Sequence, residues 1–86
     1  MLLKPNAPTR VFKLILLGRS SCRWRLRIHE VAPCMYREYH FFDVPDDIDI
    51  TVQDLLHEAW DLIAHPWLVR DIIVAESVLD TFGDTA

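Results

Sequence analysis

Cys22-Arg23-Trp24-Arg25-Leu26-Arg27-Ile28-His29 is the stretch whose reading decides the fold. Its cationic and apolar side chains alternate without a break. A strand sends successive side chains to opposite faces. Arg23, Arg25 and Arg27 therefore share one face, and Trp24, Leu26 and Ile28 share the other. The pattern is that of a half-buried antiparallel strand, with its apolar side on a core and a cationic ladder on its open side.

Working outward, residues 10–17 are rich in Val, Phe, Ile and Leu and read as a first strand. Gly18-Arg19-Ser20-Ser21 is a hairpin-length connection into the second strand, residues 22–31. Ala32-Pro33-Cys34-Met35 forms the next turn, since proline cannot donate to a ladder. A third strand covers residues 36–44. Thr51-Val52-Gln53-Asp54 then sets an acceptor at the N-cap and an acid at N3 of a helix, close to a capping box. Val52, Leu55, Leu56, Ala59 and Ile63 recur at helical spacing, with Trp60 and Leu62 widening the stripe. Pro66 stops this helix near residue 64 or 65.

Leu68, Ile72, Ala75, Leu79 and Phe82 also follow a helical seam, and Gly83 stands where a helix ends. The spacing predicts a second helix over 67–82. The run Ile72-Ile73-Val74-Ala75 taken alone reads as a buried strand. The expected fold is α+β: a three-stranded antiparallel sheet with two helices on one face (βββαα), the alternative being βββαβ. Residues 1–9 read as an extended N-terminal arm and 10–86 as a single domain.

Composition narrows the function classes. The chain has 86 residues, 51% hydrophobic, which suits one small folded domain. Its net charge of −4 hides a polarity. Residues 1–37 carry eight bases and one acid, whereas residues 38–86 carry one base and twelve acids. No apolar run is long enough for a membrane span, and the first residues lack the apolar stretch of a signal peptide, so a cytoplasmic protein is expected. Two glycines, Gly18 and Gly83, exclude glycine-rich phosphate loops. Cys22 and Cys34 read as reduced packing thiols. His57 and His65 lack the spacing of a zinc helix, and the cysteines lack that of a zinc ribbon. No metal, cofactor or catalytic set is expected.

Two surfaces stand out as candidate binding residues. The first joins Arg23, Arg25 and Arg27 to Tyr39 and Phe41 of the third strand. The arginine fork suits carboxylate or phosphate, and sheet-surface aromatics can stack bases. The second is an acid row: Asp47 in the strand–helix loop, then Asp54, Glu58 and Asp61 on the first helix, a rough imitation of a phosphate backbone. Small size, polarity and the lack of catalytic machinery together point to a non-enzymatic protein that docks on a larger partner. An inhibitor, an antitoxin or a phage- or plasmid-encoded antagonist, with an anti-CRISPR-like or nucleic-acid-mimic mode, is the expected form. The partner is a protein, such as a nucleic-acid-binding one, or a second copy meeting the open sheet face; no membrane is involved. The alternative is a single-stranded nucleic-acid-binding module using the arginine and aromatic face, against which the negative net charge weighs.

Overall fold

The alternation at residues 23–28 is realised in the second strand of a four-stranded sheet. The computed structural model describes residues 7–83; most of the expected arm (1–6) and the last residues (84–86) lie outside the described residues. The elements are β1 (Arg10–Ser20), β2 (Arg23–Ala32), β3 (Tyr39–Pro45), α1 (Val52–Leu62), a 3-10 turn (Pro66–Leu68), β4 (Val69–Val74) and α2 (Glu76–Phe82). The strand order is β3-β2-β1-β4. The first three strands pair antiparallel, and β4 runs parallel to β1.

The chain is α+β, but its sheet has four strands and is mixed, where three antiparallel strands were expected. The helical seam over 67–82 is split between a strand and a short helix. Pro66 restarts the chain, and Val69, Ile72, Ile73 and Val74 are β-branched residues that favour a pleated surface. The edge of β1 not taken by β2 receives them. Only residues 76–82 follow the helical part of the pattern, ending at Gly83. The β1–β2 connection is also shorter than expected. It is the two-residue turn Ser21-Cys22, both at positive φ, the geometry that matches strand twist in a hairpin. A bulge at Leu17 absorbs the difference in register.

The core lies on the apolar side of β2. Phe12, Leu14, Leu26 and Ile28 are buried there with Val44, and α1 presses Leu55, Ala59 and Ile63 against them. Val78 of α2 closes the other end. Trp24 is half-buried and meets Phe82 edge to face, with ring centroids 5.7 Å apart. Thr51 and Asp54 make the expected capping box: the Thr51 hydroxyl accepts from the Asp54 amide at 3.1 Å, and the Asp54 carboxylate accepts from the Thr51 amide at 3.0 Å. Trp60 is exposed rather than part of the core stripe. Cys22 and Cys34 are free and exposed, so they are not packing thiols; each falls in a turn at one end of β2, where neither side chain reaches the core.

Candidate functional site

Both helices pack on the side of Phe12, Leu26 and Ile28. The opposite side of the sheet is left without a covering element among the described residues. Register places Arg27 beside Ile15 and Phe41, and Arg25 beside Asp43. Lys13 lies between His29 and Ile73. Large apolar groups therefore flank Arg27 on both sides, while Arg25 lies between Gly18 and Asp43 and Arg23 between Ser20 and Pro45. Leu17, Tyr39, Phe41 and Ile73 are each about half exposed, at 44%, 55%, 44% and 45%. Arg23, Arg25, Arg27, Tyr39 and Phe41 are thus brought onto one surface, as the sequence predicts.

Two of the arginines are held in place. The Arg25 guanidinium lies 5.2 Å from the centre of the Phe41 ring and 3.4 Å from the Asp43 carboxylate. Arg27 donates through Nε to His29 Nδ1 and through Nη2 to the Tyr36 hydroxyl, both at 3.3 Å. Tyr36 folds back at positive φ and stacks on the His29 ring, with centroids 4.7 Å apart and planes 17° from parallel. Arg23 has no ion-pair partner among the described residues. Together with Arg25, Asp43, Ser20 and Ser21 it lines a cavity of about 310 Å³. Stacking restricts the arginines and leaves guanidinium edges free to donate, which lowers the ordering cost of binding an anion. His29 reports the local field: burial first, and then the charges of Arg27 and Lys13, hold its imidazole below its usual range.

The acid row sits elsewhere. Asp54, Glu58 and Asp61 are exposed on α1, which packs on the other side of the sheet from the ladder. Asp54 is committed to the cap. Glu58 and Asp61 have no ion-pair partner among the described residues. Asp47 is exposed in the β3–α1 loop. The two candidate surfaces are separate, back to back across a two-layer domain.

A third constellation escaped the sequence reading. Glu30 is fully buried at the end of β2. Its carboxylate accepts from Arg10 at 2.7 Å and from Arg37 at 3.1 and 2.8 Å. Arg10 also donates to Glu38 at 2.8 Å and to the Ala64 carbonyl at 3.2 Å. Glu38 in turn accepts from the Ala64 amide at 2.8 Å and pairs with His40 at 2.6 Å. The hydrogen bond from Arg10, joined by that from Arg37, holds the Glu30 carboxyl below its usual range despite burial. Burial pushes Glu38 up, but His40, the Ala64 amide and Arg10 outweigh it and the net shift is downward. The signal for this cluster was present. Arg10 and Glu30 fall on the same alternating positions as Phe12 and Ile28, so charge was being sent to the core side. Its geometry is that of a clasp between the sheet and the segment leaving α1.

No protein-family model, curated protein or solved structure matches this chain. Among the described residues, no three or more His, Cys, Asp or Glu side chains gather as a metal set, and no helix is long and apolar enough to cross a membrane.

Proposed function

We propose that this chain is a small non-enzymatic docking domain whose open sheet face holds an acidic surface of a partner protein. The observation that carries the reading is the cationic stripe Arg23, Arg25 and Arg27, which shares with exposed Leu17, Ile73, Tyr39 and Phe41 a face neither helix covers. Half-exposed apolar side chains gathered on one face mark interaction surfaces when polar groups rim them. Arginine and aromatic residues are the usual anchors of protein interfaces. The register also gives the face a net positive charge: Lys13 and three arginines stand against Asp43 and Asp71. An acidic partner surface with apolar flanks complements it. Covering such a surface is how an inhibitor, an antitoxin or a phage-encoded antagonist works without chemistry of its own.

The acid row supports the nucleic-acid-mimic mode less well, because Asp54 serves the helix cap and only Glu58 and Asp61 remain free of it. The test is a paired capture from source cells with wild type and with Arg23→Glu/Arg25→Glu, both checked for folding. A protein held by the first and lost by the second is the expected result. Identical captured proteins overturn the reading, and recovery of nucleic acid by wild type alone replaces it with the nucleic-acid alternative.

A further inference from the structure

The polarity of this chain has a geometric form: a basic face on the sheet and an acidic side on α1, in different layers of one domain. A symmetric pair joined face to face would bring two arginine ladders together, and like charges opposed across an interface disfavour association. A second copy can instead offer its acidic side to the ladder. We infer that the arginine face of one copy takes the Asp54, Glu58 and Asp61 side of α1 from another, so that copies associate head to tail. This rests on the sheet face being a docking surface, and it names one occupant of that surface.

Pitch and chemistry both fit. A strand rises 3.2–3.4 Å per residue, so the Cα atoms of Arg23 and Arg27 are ~13 Å apart. A helix rises 1.5 Å per residue, which spreads Asp54 to Asp61 over ~10 Å. Arginine side chains are long enough to absorb the mismatch. Arg23 and the pair Glu58 and Asp61 lack ion-pair partners among the described residues, so the contact satisfies charges that stand open in the isolated domain. Because the two surfaces differ, the contact is heterologous: each added copy leaves one ladder and one acid row free. An acidic partner protein and a second copy would then compete for the same arginines.

Sedimentation of the purified chain tests this. At about 20 mM salt the weight-average mass should rise with protein concentration above that of the 10.1 kDa monomer, and at about 0.5 M salt it should return to it. Arg23→Glu/Arg25→Glu and Glu58→Gln/Asp61→Asn, both folded by circular dichroism, should each be monomeric alone. Mixed in equal amounts they should form a one-to-one heterodimer, since one keeps the acid row and the other the ladder. A monomeric wild type at all concentrations, association that persists at high salt, or a mixture that stays monomeric overturns the inference. If the wild type is monomeric yet its partner capture still needs Arg23 and Arg25, the self-association alone fails. If the heterodimer forms but capture is identical, the foreign partner alone fails.

Discussion

Arg10 Nη2 lies 2.7 Å from Glu30 Oε1 inside the end of the sheet, with Glu30 fully buried and the Arg10 side chain nearly so. The pair is not isolated. Arg37 closes over Glu30 from the β2–β3 turn, and Glu38 and Arg10 bracket both peptide groups of Ala64. Three distant parts of the chain are thereby fastened at one point: the start of β1, the β2–β3 turn and the segment after α1.

Removing one member should therefore cost more than a surface ion pair. Glu30→Gln removes one of the two carboxylates that hold the buried Arg10 guanidinium, Glu38 being the other, and the loss of a buried hydrogen bond to a charged group costs ~1.5–3 kcal/mol. Equilibrium urea unfolding of the variant should show a correspondingly lower midpoint. A midpoint within error of wild type would show that the clasp contributes nothing net.

The same carboxylates set an acid limit. Folded Glu30 and Glu38 titrate below their usual value, so the unfolded chain binds protons first as pH falls. Their stabilisation is complete above the unfolded carboxylate value of about 4.3 and is lost as pH drops through the folded values. His29 acts in the same direction at higher pH. Its folded value is lowered, so its contribution is full above about 6.5 and declines below it. Urea midpoints should hold level above neutrality, fall gently below pH ~6.5 and steeply below pH ~4.5. Glu30→Gln should flatten the steep part.

The assignment of the two sides of β2 can be checked by neighbours in sequence. Leu26 is fully buried, and Leu26→Ala should cost ~2–5 kcal/mol. Arg25 is exposed beside it, and Arg25→Ala should change stability by no more than ~0.5 kcal/mol. Thermal unfolding of the two variants gives the comparison directly. Equal losses would mean that the arginine side is also packed.

The capping box makes a smaller claim. Thr51→Ala removes the acceptor for the Asp54 amide and should cost ~0.5–2 kcal/mol, measured by the same unfolding curves. An unchanged curve would mean that water replaces the hydroxyl at no cost.

Much of the sheet was legible because its signal is local. Period-two alternation identifies β2 and its faces, and Thr51 with Asp54 marks the start of α1. The candidate face follows from the same alternation, since Arg23, Arg25, Tyr39 and Phe41 need only register to meet. Residues 67–82 misled because two short elements, β4 and α2, happen to align their apolar residues at a helical spacing. Only the free edge of β1 decides between strand and helix there, and that is a tertiary fact. The Arg10–Glu30–Glu38 clasp was missed for a related reason. Charged residues at core-side positions look like errors in a pattern until their partners, twenty or more residues away, are in place.

The most direct test of the docking account is the affinity of the captured partner for three purified proteins under the same salt: wild type, Arg23→Glu/Arg25→Glu and Glu58→Gln/Asp61→Asn. The account predicts that the ladder variant binds at least ~30-fold more weakly, the equivalent of ~2 kcal/mol at an interface hot spot, while the α1 variant binds as tightly as wild type or tighter. A ladder variant that binds like wild type, or a loss confined to the α1 variant, would contradict it.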